Sequence, residues 1–297
     1  MALNVSALND FSNEVAGKVV PRMVFEGYTT SVLPIQTGIK YQEPLNIFDT
    51  TLVVQTGDCV STPSGSFTAT QKTITVTQRT SFDGLCLDQL NPKYLGISAL
   101  DAGSYNETFK LAEVYTSQIV NQMKKDDDLW LWNSSNLGGL TSVASGSVLV
   151  PEGTGSFTST TALDVLDAYI ADIPSDIADR DDLTIWMSVS NFRQYIAALR
   201  KTNNYYDGSV DGSRAAQGTL MSQYPFANVK VVGTPGITGG RIVLMPDAYA
   251  VVGTDSLEDI DNFQLFYDIN SDQLKHRLKH KLGVAVAFPE YILTNNL

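Results

Sequence analysis

Apolar positions along this chain recur at two periods, and the period changes from region to region. Between residues 105 and 133 the spacing is helical: Leu111, Tyr115, Ile119 and Met123 are four apart, Val114 widens the stripe, and Trp130 and Trp132 follow. This predicts the longest helix, with Asn106 as its cap and Phe109 as its first packed residue. A second stripe carries Leu163, Leu166, Ile170 and Ile173; it opens with Thr161 and Asp164 in a cap-like arrangement and stops at Pro174. A third begins near Ser190 with Phe192, Ile196 and Leu199. The run DLTIWMS, residues 182–188, predicts a buried strand between them.

Elsewhere the period is two. Residues 46–55 read as a strand, and TATQKTITVTQRT, residues 68–80, alternates with few core-sized side chains. Lys72, Ile74, Val76 and Gln78 share one face there; Gln71, Thr73, Thr75 and Thr77 share the other. A long hairpin with so little apolar surface is marginal alone and needs another chain or domain to lie on. Short apolar strands are expected at 229–232, 242–245 and 250–252, and longer ones at 263–270 and 273–288. Residues 134–160 read as Gly/Ser/Thr-rich loops or edge strands. Residues 202–226 form an irregular insert whose Asn203, Asn204, Tyr205 and Tyr206 suit a loop at a rim. Residues 1–46 have weak periodicity and three prolines, Pro21, Pro34 and Pro44, and read as an arm. No fixed-period repeat occurs, so the organisation is α+β with protruding arms rather than a solenoid.

Composition narrows the function. Of 297 residues, 43% are hydrophobic and 18% charged, which supports a sizeable core without staples. The net charge of −12 excludes a protein that coats nucleic acid through its average field. No apolar stretch approaches a membrane span. The start, MALNVSALNDF, lacks the basic residues and apolar region of a secretory signal, so the three N-x-S/T sites at Asn4, Asn106 and Asn133 carry little weight. The two cysteines, Cys59 and Cys86, make neither a disulfide framework nor a zinc site. They flank the hairpin segment, and a bridge between them would not persist in a reducing cytoplasm.

The chemistry is mostly absent. G-x-S-x-G, the phosphate-binding loops, C-x-x-C and H-E-x-x-H do not occur. His276 and His280 are four apart, but QLKHRLKHKL alternates as a strand and has no acidic third ligand, so no metal, cofactor or catalytic residue is assigned. That alternation is the most informative local feature. Lys275, Arg277, Lys279 and Lys281 share one face, while Leu274, Leu278, Leu282 and both histidines share the other. Such a row is either a solvated face or a contact for acidic groups of a neighbouring subunit or for packaged nucleic acid. Asp126, Asp127 and Asp128 are a candidate counterpart, placed where carboxylates oppose the helix dipole. Consecutive carboxylates on a helix diverge and chelate poorly, so an ion pair or solvated turn is expected rather than a metal site.

DLTIWMSVSNFRQYIAALRK (182–201), KVVGTPGITGGRIVLMPDAYAVVGTD (230–255) and HKLGVAVAFPEYIL (280–293), in this order of elements, resemble the major capsid proteins of tailed bacteriophages, the Hong Kong 97-type fold. The resemblance implies an N-terminal arm at 1–46 and an extended hairpin, the E-loop, at 47–92. A spine helix with peripheral domain follows at 93–149, an axial domain at 150–255, and peripheral strands with a C-terminal return at 256–297. It implies a non-enzymatic protein without cofactors, assembling with itself into hexamers and pentamers of an icosahedral head around double-stranded DNA. The expected setting is the virion, built in the host cytoplasm with scaffolding, portal and decoration proteins as partners and no membrane. Some relatives carry a charged helical prefix that a protease removes; this chain shows none. Some cross-link through an E-loop lysine, for which Lys72 is the candidate here. The alternative is an encapsulin, a compartment shell on the same fold that holds protein cargo. Hydrolase and adhesin readings are disfavoured by the missing motifs and by the helical stripes.

Overall fold

The computed structural model describes residues 26–52, 65–86, 107–133, 136–137, 157–202, 220–224, 227–255, 263–271 and 273–294, together with Val19, Arg22 and Val24. Cys59, the Asn106 cap, the loops at 138–156, the Asn203 to Tyr206 cluster and the sites at Asn4 and Asn106 lie outside these residues, as do the side chains of Phe109 and Leu111.

Two five-stranded sheets and a two-stranded ribbon carry the fold. In the first sheet the order is β1 (Ile35–Gln36), β9 (Ala250–Thr254), β11 (Gln273–Val286) and β10 (Phe263–Asp268), and β4 (Thr77–Cys86) lies along β11. β11 is the organiser: β4 lies antiparallel along one edge over residues 273–282, and β10 (273–278) then β9 (282–286) lie antiparallel along the other. The long helix α1 (Glu107–Leu131) packs on this sheet, with Ile119, Val120 and Met123 against Phe263, Leu265, Leu274 and Leu278. Val19 and Val24 complete that core. Val114 departs from the stripe and is 56% exposed, because the buried line runs through Thr116 and Val120 instead.

The second sheet runs β12 (Leu293–Thr294), β8 (Ile242–Pro246), β5 (Leu183–Ser188), β7 (Lys230–Thr234) and β6 (Leu220–Gln223). Its central strand β5 is buried along its whole length, as an uninterrupted apolar run requires when both faces are covered. Period two sorts its residues between two cores. Leu183, Ile185 and Met187 meet α2 (Ala162–Ala171) and α3 (Val189–Lys201) through Leu166, Tyr169, Phe192 and Tyr195. Trp186 faces the other way, into a core shared with Trp132, Val252 and Leu282 that welds the second sheet to the first. Ser188 caps α3, accepting from the Asn191 amide at 3.2 Å. Thr161 does not cap α2 with its side chain; its hydroxyl accepts from the Thr158 amide instead.

The ribbon pairs β2 (Gln42–Leu52) with β3 (Gly65–Thr75). β3 and β4 are one continuous run interrupted at Val76, so the Thr-rich stretch serves two structures. Its first half makes the projecting hairpin and its second half joins the body. Ile74 and Val76 anchor the crossing against Ile39 and Ala285. Gly283 sits beneath it: a Cβ there would collide with the backbone of Thr75.

Candidate assembly surfaces

The cationic strand alternates as its sequence predicts. Leu274, His276, Leu278, His280 and Leu282 are buried, while Lys275, Arg277, Lys279 and Lys281 lie on the open side. Two of the four cations are answered within the chain. Lys275 Nζ contacts Asp268 at 2.6 Å and Lys281 Nζ contacts Asp255 at 2.5 Å. Hydrogen bonds from Lys275, Ser271 and the Asn270 amide hold the Asp268 carboxyl down at about 2. Arg277 and Lys279 have no ion pair among the described residues. They remain the outward charges of this face, with exposed Phe82 of β4 directly opposite Arg277.

The aspartate run is divided differently from the cationic one. α1 continues through it, and only Asp126 reaches solvent, with Gln122 donating to it at 3.3 Å. Asp127 and Asp128 were expected as contacts for a neighbour; they are turned inward and engaged inside the chain, at 6% and 2% exposure. Asp127 lies between Arg79 Nε at 2.7 Å and His280 Nε2 at 2.9 Å, so helix, hairpin strand and β11 are held at one carboxylate. The Arg79 contact is a charge contact off the N–H axis, and the guanidinium also lies over Trp130, 5.4 Å from the ring. The Arg79 guanidinium answers the adverse helix-end charge that the sequence raises.

Asp128 accepts from the Thr29 amide at 3.0 Å, the Gly236 amide at 2.6 Å and the hydroxyls of Thr29 and Thr234. Trp132 Nε1 donates to Thr29 Oγ1 at 2.7 Å. Burial pushes the Asp128 carboxyl above its ordinary range, and these hydrogen bonds oppose the push. Gly236 is required for the close approach, since a Cβ would press on Asp128 and Trp132.

Lys72 donates to the Val286 carbonyl at 3.1 Å, half-buried at the hairpin base. Farther out, Phe48 and Phe67 stack with ring centres 5.6 Å apart and are 62% and 67% exposed. No sequence period singles them out, but two aromatics among threonines in facing strands are a signal that register would have exposed.

A second feature invisible in the sequence is the groove between α1 and β4, of about 640 Å³, lined by Ser81, Asp83, Tyr115, Gln118, Gln122 and Lys125 among others. His276 forms its floor, with Ser81 Oγ at 3.0 Å from Nε2 and the Tyr115 hydroxyl at 2.9 Å from Nδ1. Burial lowers the His276 pKa, and the Asp83 charge opposes the shift. Both histidines are buried and hydrogen-bonded, His276 to Ser81 and Tyr115 and His280 to Asp127.

No family model matches the sequence, and no curated protein does. Solved structures do. The satellite phage P4 procapsid including size determination (Sid) protein aligns over 94% of this chain and 89% of that chain at 12% identity, TM-score 0.58. The capsid of an empty GTA particle aligns over 91% and 89% at 9% identity, TM-score 0.56. A virus-like particle from Pyrococcus furiosus aligns over 95% and 98% at 10% identity, TM-score 0.55. The chain therefore has the α+β Hong Kong 97-type capsid fold.

Proposed function

We propose that this chain is a major capsid protein that assembles with itself into the hexamers and pentamers of a tailed-phage head around double-stranded DNA. The observation that carries the reading is coverage: the likeness to the P4 procapsid chain extends over 94% of this chain. The surfaces agree. A hairpin carrying an exposed aromatic pair, and a sheet face with two cations that have no ion pair among the described residues, have little use in a monomer. Contact roles fall to Phe48, Phe67, Arg277, Lys279 and Asp126, with neighbouring copies or the packaged DNA as counterparts. The five-part division at residues 46, 92, 149 and 255 is the layout of that subunit. The role is structural and non-enzymatic, the place is the virion, and assembly occurs in the host cytoplasm with scaffolding, portal and decoration proteins.

A compartment shell holding protein cargo is the second reading, favoured by the 98% coverage of the Pyrococcus furiosus particle chain. Electron microscopy of the purified recombinant chain tests both. Closed shells or rings of five and six are expected, with nuclease-resistant DNA inside heads and protein inside compartments. A monomer that stays dispersed in a phage lysate would overturn both readings.

A further inference from the structure

The strand that carries both the hairpin and the body has one edge only partly covered. β2 pairs with it as far as Gln42 opposite Thr75, and the Val76 amide donates to Tyr41 O at 3.0 Å. There β2 ends. Along β4 the other edge pairs with β11 from Thr77 to Cys86, but among the described residues no strand pairs the outer edge. The amides of Val76 and Gly84 turn away from β11, since Val76 donates to Tyr41 and Gly84 to Asp83 Oδ1 at 2.8 Å. Alternation turns Gln78, Thr80 and Phe82 the same way, leaving their amides and carbonyls facing out.

An uncovered edge of this length is normally defended by Lys, Pro or a bulge. Here the side chains at the outward-facing positions are uncharged, and Phe82 is 60% exposed. Beside the edge lies the groove under α1, open and amide-lined, with room for the side chains of an added strand. Among the described residues the edge is unpaired and carries no charged outward-facing residue.

We infer that β4 pairs antiparallel with β4 of a second copy across a two-fold axis centred on Ser81. The choice of partner follows from the edge's own sequence. With Ser81 opposite itself, outward-facing Thr80 and Phe82 become hydrogen-bonded partners of Phe82 and Thr80 of the second copy, an aromatic paired with a β-branched residue. On the groove face Asp83 comes opposite the second copy's Arg79, and Arg79 opposite its Asp83. Asp83 is exposed and makes no ion pair among the described residues, and this register sets it beside a guanidinium that already answers Asp127, adding a second carboxylate to that cation rather than a new pair. Moving the centre to Thr80 would place Phe82 opposite Gln78 and Asp83 opposite Thr77. The contact is isologous, the same patch on both copies, and would join rings of subunits across a two-fold axis. The inference rests on the self-assembly reading and specifies one of its interfaces.

A single cysteine tests it, because a residue on a two-fold axis faces itself. Ser81→Cys, in a Cys59→Ser/Cys86→Ser background, places two thiols at a non-hydrogen-bonded pair roughly 4.5 Å apart at Cα, within disulfide reach. Under mild oxidant it is expected to form dimers on a non-reducing gel at least about tenfold faster than Thr77→Cys, which meets no copy of itself. Thr80→Pro removes an outward amide while sparing the β11 ladder. It should keep the native circular dichroism and lose dimerisation. Equal cross-linking of the two cysteine variants, or a Thr80→Pro chain that assembles normally, overturns the pairing. Particles without Ser81 cross-links would sink this inference and leave the shell reading standing. Cross-linked dimers without particles would do the reverse.

Discussion

The second sheet and the β2–β3 hairpin are built from strands of similar regularity and opposite economy. β5 is buried at every position and is covered by helices on one face and by the first sheet on the other. β3 is exposed at its first seven positions and buries only Ile74 fully. The first is stable by its own packing. The second holds its register by ladder hydrogen bonds and a few polar side-chain pairs, such as Gln71 to Asn46 at 2.8 Å. One chain thus keeps its stability in one region and its unmet surface in another, so damage to folding and damage to association should be separable by mutation.

The largest effect is expected in the welded core. Trp186 is fully buried and packs at a tilt against Trp132, ring centres 5.6 Å apart, at the junction of the two sheets. Trp186→Ala should cost about 3–5 kcal/mol of stability, read from urea denaturation of the unassembled chain. A cost below about 1 kcal/mol would mean that the junction is not a packed core.

Next is the link between the regions. Arg79 stands at the root of the hairpin strand and answers buried Asp127. Arg79→Met leaves that carboxylate with only His280, and about 3 kcal/mol should be lost. The double variant Arg79→Met/Asp127→Leu should recover most of it, since no stranded charge remains. A double variant as unstable as the single one would show that packing, not charge, is what Arg79 supplies.

A pH signal should arise in the body rather than the hairpin. Burial pushes the Asp247 carboxyl up to about 6, although Lys230 lies 3.7 Å away. A carboxyl whose folded pKa exceeds its unfolded value of about 4 binds its proton more tightly when folded. Its contribution is therefore favourable at low pH and is lost as pH rises from about 4 through about 6. The shift corresponds to roughly 2–3 kcal/mol. The stability difference between the wild type and Asp247→Asn should change by about that amount between pH 4 and 7 and stay flat above. A difference independent of pH would place the Asp247 carboxyl in its ordinary range.

How much of this could be read from the sequence depended on distance along the chain. The apolar run of β5, the alternation of β11 and the stripe of α1 are local patterns, and each became the element it predicts. The division of the Thr-rich stretch at Val76 was not legible, because the alternation passes through it unbroken while the pairing partner changes from β2 to β11. Nor were the fates of Asp127 and Asp128. Their partners Arg79, Thr29, Thr234 and Gly236 lie 48 to 108 residues away, and a charge run looks the same whether it faces solvent or a buried cradle. Val114 was misplaced because a helical stripe has a width that only the opposing sheet defines.

The smallest effect on stability should accompany the largest on assembly. Phe48 and Phe67 contact one another across the ribbon, and most of each ring remains in water. Replacing both with Ala removes one exposed aromatic contact, worth about 0.5–1 kcal/mol at most, so the denaturation midpoint should barely move. If the pair is the hairpin's grip on a neighbour, the same variant loses two apolar anchors that only association would desolvate, and such anchors dominate interface energy. Size-exclusion profiles should then shift from assembled particles to small oligomers while the circular dichroism spectrum is unchanged. Normal particles from the double variant would remove these rings from the interface. A collapse of stability would show that the hairpin is held by its own aromatics after all, and the contrast between the two regions would fail at its exposed end.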